Sequence, residues 1–137
     1  MINLPRRAAL TAQVIVRFRA VPFDWSNASC IHLARAQAEA MGYLPPSIPK
    51  LRSAIGAKRV LKRMGFNGVE ALLDSMFERI APAAALVGDL VALPGQGGLA
   101  AVAIADGVGN VIGWHEGADR LTAITFAQAD MLAAWRL

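Results

Sequence analysis

Apolar positions in the first part of the chain recur at helical intervals. Leu10, Val14 and Phe18 are spaced by four, which places them on one face of a helix over Leu4–Ala20. Val21-Pro22 ends it, because the residue before proline is pushed out of the helical region. Phe23-Asp24-Trp25 is a connector with two aromatic anchors, and Ser26 or Asn27 is the expected N-cap of an alanine-rich helix over Ala28–Met41. Gly42 closes that helix, and Pro45, Pro46 and Pro49 make a stiff link. Two further helices are predicted over Leu51–Met64 and Val69–Ile80, separated by Gly65-Phe66-Asn67-Gly68.

Beyond Pro82 the pattern changes to short apolar runs between glycine-rich turns. Ala85–Leu93, Leu99–Ala105, Val111–Trp114 and Leu121–Ile124 read as three to four strands of an antiparallel meander. Ala127–Trp135 reads as a closing helix. The expected fold class is α+β, with N-terminal helices packed on a small antiparallel sheet. One domain over 1–137 is expected: a helical part over 1–81, a sheet part over 82–126 and a C-terminal helix over 127–137.

The bulk composition narrows the classes. A chain of 137 residues suits one core, and 55% hydrophobic residues exclude a disordered chain. No apolar run reaches the roughly 18 to 20 residues of a membrane span. Arg17 and Arg19 interrupt the apolar stretch that a secretory signal would need, so synthesis in the cytoplasm without a signal peptide is expected. One cysteine excludes an internal disulfide and a cysteine zinc cage. Residues 1–80 carry 12 Lys and Arg against 5 Asp and Glu, and residues 81–137 carry 2 against 5. A basic half is a possible nucleic-acid signal, but no nucleic-acid motif or exposed aromatic interleaving accompanies it, so nucleic acid is not the expected partner.

The candidate chemistry is centred on Cys30. A cysteine at a helix start meets unpaired N–H groups and the positive end of the helix dipole, which favour the thiolate nucleophile. Such a thiolate needs a base and an orienting group. His32 cannot serve, because side chains two residues apart on a helix point about 200° apart. Asp89, after a strand glycine, reads as a turn carboxylate capping local backbone. His115, Glu116 and Asp119 form a polar cluster too sparse for a transition-metal site. Pro94–Gly98 lacks the lysine and hydroxyl of a phosphate loop and reads as a flexible tip. Trp25, Trp114 and Trp135 read as separate anchors. No cofactor and no metal are expected.

The segment Pro22-Phe23-Asp24-Trp25-Ser26-Asn27-Ala28-Ser29-Cys30 resembles the approach to the nucleophile helix in NlpC-like, papain-fold cysteine peptidases, above all a small related domain encoded in phage tail gene clusters. Ala85-Leu86-Val87-Gly88-Asp89-Leu90-Val91 is similar to their first strand, and Ala101–Gly107 to the second, which begins with the base histidine. Val111-Ile112-Gly113-Trp114-His115 is similar to the third, which carries the orienting residue, and Ala133–Leu137 to the close of the phage-encoded domains. Three departures stand out. Ser29 replaces an aspartate, Ser26 a glycine, and Ala101 the base. The resemblance therefore implies a degenerate, mainly structural component of a phage or gene-transfer-agent tail tip or hub, located in the virion and bound to other tail proteins. The alternative is an active endopeptidase or amidase that cleaves peptidoglycan during genome delivery, with Cys30 as nucleophile and His115 as direct base.

Overall fold

The computed structural model describes residues 1–115 and 118–137. Four helices come first: α1 Leu4–Phe18, α2 Cys30–Ala40, α3 Ala54–Arg63 and α4 Val69–Met76. Six strands are described: β1 Glu78–Ile80, β2 Leu90–Leu93, β3 Ala101–Ala105, β4 Asn110–Gly113, β5 Thr122–Thr125 and β6 Ala133–Arg136. They form one open antiparallel sheet in the order β1-β6-β2-β3-β4-β5. The α+β class stands, with six strands where the sequence suggested three or four.

The chain's last residues account for the difference. The alanine-rich stretch expected as a helix over 127–137 instead supplies β6, which inserts between β1 and β2. Ala134 stands in register with both Ile80 and Val91, so β6 is paired along both of its edges. Helix propensity spans only tenths of a kcal/mol per residue, and pairing on two sides outweighs it. The same strand shortens the fourth helix. It ends at Met76, Phe77 is extended, and Glu78–Ile80 leave the predicted helix to pair with Arg136–Ala134.

The sheet is apolar on both faces, which is why Leu90, Val91, Ala92 and Leu93 are all buried. Leu90, Ala92, Val102, Ile104 and Trp135 face the helices and join Val14, Phe18, Leu33 and Leu73 in the main core. Val91, Ala103, Ala105, Val111 and Ala134 face the other way, covered by Ile80, Ile124, Phe126 and Met131.

One polar structure ties the helices to the sheet. The buried positions of α1 are Arg7, Thr11, Val14 and Phe18, so a guanidinium and a hydroxyl continue the apolar stripe. Arg7 and Asp89 are both fully buried and meet at 2.5 Å. Arg7 also donates through Nε to the Val87 carbonyl at 2.9 Å, and to a main-chain oxygen of Leu137. Asp89 accepts further bonds from the N–H groups of Leu86 and Leu137, at 2.8 and 3.1 Å, and from Arg136 Nε at 2.8 Å. Asp89 does cap local backbone, and it also joins α1, the β2 approach and β6. Beside it Gln37 donates to Thr11 Oγ1 at 3.0 Å and to the Gly88 carbonyl at 3.1 Å. Gly88 sits at φ +90°, and a Cβ there would lie 2.7 Å from Thr11 Oγ1.

Candidate functional site: a cleft over Cys30

Helix α2 begins at Cys30, with Ser29 rather than Ser26 or Asn27 as its N-cap. Ser26 serves the preceding turn, where its N–H and hydroxyl donate to Asp24 Oδ1 at 2.9 and 2.8 Å and hold that carboxyl below its usual range. The Ser29 hydroxyl accepts from the N–H of Ile31 at 3.2 Å and of His32 at 3.5 Å. His32 closes the reciprocal half of a capping box. Its Nδ1 lies 3.3 Å from the Ser29 N–H, which donates to it, and 2.8 Å from the Ser29 hydroxyl. His32 is thus tied into the cap, as a partner of Ser29 and not of the thiol. Burial, the largest influence on it, pushes its imidazole below the ordinary value.

Cys30 is 6% exposed. Burial pushes its thiol upward, against the smaller opposing effect of the Val102, Cys30 and Ile31 N–H groups. The helix terminus is therefore present but does not make this thiol acidic. Burial in apolar surroundings favours the neutral thiol over the thiolate.

A cleft of about 480 Å³ opens above the sulfur. That volume lies within the usual range of ligand sites, roughly 300 to 1,000 Å³. Cys30 and Ala101, the first residue of β3, line it together, and His115 lies on it after β4. The three positions that the resemblance makes equivalent to nucleophile, base and orienting group therefore border one space, and the middle one carries only a methyl group. No hydrogen bond joins Cys30 to His115. The His115 Nε2 lies 3.2 Å from the Val111 carbonyl, so a proton there is donated to main chain and Nδ1 is left as the ring's acceptor. Glu116 lies outside the described residues. Asp119 is exposed and pairs with Arg120 at 3.0 Å. Among the described residues no group of three His, Cys, Asp or Glu side chains is placed to hold a metal ion.

Sequence reading missed the aromatic wall. Phe23 packs edge-on against both Trp25 (5.2 Å between ring centres) and Trp114 (5.9 Å), and Trp114 packs in turn on Phe18. Phe23, Trp25 and Trp114 all line the cleft. The Phe23 N–H donates to the Asp119 carbonyl at 3.0 Å, which draws two distant segments together, and the Trp114 indole donates to the Val21 carbonyl at 3.3 Å. Trp135 is separate and fully buried, donating to Asp74 at 2.9 Å.

The opposite rim is the β2–β3 connection, with Pro94, Gly95 and Gln96. It packs too tightly for a side chain at Gly95, where a Cβ would lie 2.1 Å from the Leu99 carbonyl oxygen. Lys58 of α3 donates to the Gly97 carbonyl at 3.2 Å and holds the rim from outside.

A family model described as a domain of unknown function, DUF6950, matches residues 3–137. The chain belongs to the DUF6950 family. No curated protein matches it. What this DUF6950 chain offers chemically is an aromatic-walled cleft bordered by a buried thiol and one imidazole.

Proposed function

We propose that this chain is a degenerate NlpC-like domain, kept as a structural component of a phage or phage-like tail tip or hub and catalytically silent. The observation that carries the silence is Ala101. It borders the cleft together with Cys30, at the position where the resemblance implies the base histidine. Loss of a positioned base costs a factor of about 100 to 10,000 in rate. Burial of the sulfur works against the other route to a thiolate. The tail setting rests on the resemblance of the segments around Cys30, Asp89, Ala101 and the C-terminal Trp135 to the phage-encoded domain. Within that reading the partners are other tail-tip proteins, and the fold is retained after its chemistry has gone.

Two measurements test it. Alkylation of Cys30 by iodoacetamide across pH should show a midpoint above that of a free thiol, and a cell-wall peptide should remain uncut. Peptide turnover that Cys30→Ala abolishes, with a depressed thiol midpoint that His115→Ala restores, would overturn the silent reading. For the setting, the chain should be found by mass spectrometry in the tail-tip fraction of purified particles, and its absence there removes the structural role.

The shared cleft favours one alternative, an active cysteine endopeptidase or amidase acting on peptidoglycan. The Cys30 sulfur would then attack the peptide carbonyl, and Nδ1 of His115 would take the thiol proton and pass it to the amine leaving as the C–N bond breaks. N–H groups at the α2 terminus would hold the oxyanion, and water would release the acyl group from the sulfur. The same two assays decide between the readings.

A further inference from the structure

We propose that the outer face of α3 docks on the phosphate backbone of duplex nucleic acid. Between Glu39 and Glu70 the chain has six cationic side chains and no acidic one: Lys50, Arg52, Lys58, Arg59, Lys62 and Arg63. All six are exposed, and among the described residues none is in an ion pair. Folding therefore leaves their charge unspent, unlike that of Arg7, Arg79 and Arg136, which the fold pairs with Asp89 and Asp74.

The helix arranges four of them. Ala57 and Leu61 turn α3 toward the core, and Ser53 caps it by accepting from the Gly56 N–H at 3.0 Å. Lys58, Arg59 and Lys62 follow the exposed Ile55 by three, four and seven residues and so share its outward face, with Arg63 beside them. A ten-residue helix is about 15 Å long, and a duplex carries about nine negative charges over that distance. The match is one of charge density along a line.

Other anionic partners fit less well. A helix that lies in a membrane surface turns its apolar face to the lipid, whereas the apolar face of α3 is buried in this protein. The core of a protein interface is depleted in charge and rich in aromatic residues, the reverse of this face. Contact through phosphates also needs no base-reading motif, so the lack of one in the sequence does not bear on it.

The test is fluorescence anisotropy of the full chain with a labelled 30-base-pair duplex of mixed sequence, titrated from 50 to 200 mM NaCl. Contact through all six cations gives a log–log slope near −5 and about a thousandfold loss of affinity over that range. Substituting Lys58, Arg59, Lys62 and Arg63 by Gln should weaken binding at least tenfold and cut the slope by about 3.6, at roughly 0.9 per phosphate contact. The exposed pair Arg17 and Arg19, changed to Gln, should leave both unchanged. If circular dichroism shows the four-site variant unfolded, the single variant Lys62→Gln reads the same effect as a slope change of about 0.9. Absence of binding at 50 mM NaCl overturns the proposal, as does equal loss in the α1 control. Equal competition by polyglutamate points to an acidic protein instead, and preference for phosphatidylglycerol vesicles points to lipid. Either result overturns it too.

Discussion

Removing the Asp89 carboxylate should damage this fold more than any substitution at the cleft. In Asp89→Ala, the fully buried Arg7 guanidinium loses its counter-ion, and the N–H groups of Leu86 and Leu137 lose their acceptor. Breaking a buried pair from one side costs about 3–5 kcal/mol, because the remaining charge stays desolvated. A domain of this size holds only about 5–15 kcal/mol in all. At roughly 3–4 °C per kcal/mol for a chain of this length, the melting temperature should fall by about 10–20 °C. Urea unfolding followed by circular dichroism measures the loss directly. A double variant, Arg7→Met with Asp89→Leu, removes both charges. It should recover much of that loss, since apolar replacement of a buried pair is often neutral. Arg136 lies at the edge of the cluster and can turn its freed guanidinium to water. A loss under about 1 kcal/mol for Asp89→Ala, or a double variant as unstable as the sum of the two single ones, would refute the assignment of Asp89 as the junction of α1, β2 and β6.

Two further outcomes follow from the same geometry. Gly88→Ala forces a side chain into the left-handed region at φ +90° and against Thr11 Oγ1, and should destabilise by about 1–3 kcal/mol in the same urea assay. Ser29→Ala removes the N-cap hydroxyl and with it one half of the capping box, leaving the backbone N–H at this position on His32 Nδ1, for a loss of about 1 kcal/mol. That cap should also be sensitive to pH. The folded His32 imidazole sits below its ordinary value of 6.5, so the unfolded chain binds a proton first. The contribution is complete above 6.5 and fades as pH falls through the lower folded value, and His32→Gln should flatten that part of the stability profile.

The helical half was legible because its apolar stripes and breakers agree. Leu10, Val14 and Phe18 mark the inner face of α1, and Val21-Pro22 bounds it. The polar continuation of that stripe was not legible. Arg7 and Thr11 are polar and lie outside any apolar pattern, and the groups that satisfy them, Asp89 and Gln37, are distant in sequence. The C-terminal segment failed for a related reason. Alanine-rich 127–137 has a local preference for helix, and nothing local records that β1 and β2 leave a gap between them. Strand β1 is misread for the same cause, since its partner is that very strand. Long-range pairing is the part of a fold that periodicity does not carry.

At the site, residue types were easier to read than their surroundings. That Cys30 lies near the start of a helix, expected from Ala28, and that Ala101 lies in a strand, expected from Leu99, were both visible, and the structure sets the two on one cleft. What spacing could not show is the state of the sulfur. The same helix terminus that would lower a thiol's pKa is here overruled by burial, so position in a helix is a poor guide to reactivity unless the depth of the group is known. Nor could spacing show the aromatic wall, because Phe23 reaches Trp114 only after the chain has passed through α2, α3 and α4. The wall also bears on what the cleft is now. The edge-on packing of Phe23 with Trp25 and Trp114 needs no base and no acidic thiol to persist, and it stiffens the cleft from one side while Lys58 and Gly95 fix the rim from the other. A cleft held in shape by such packing keeps its form with only a methyl group at Ala101.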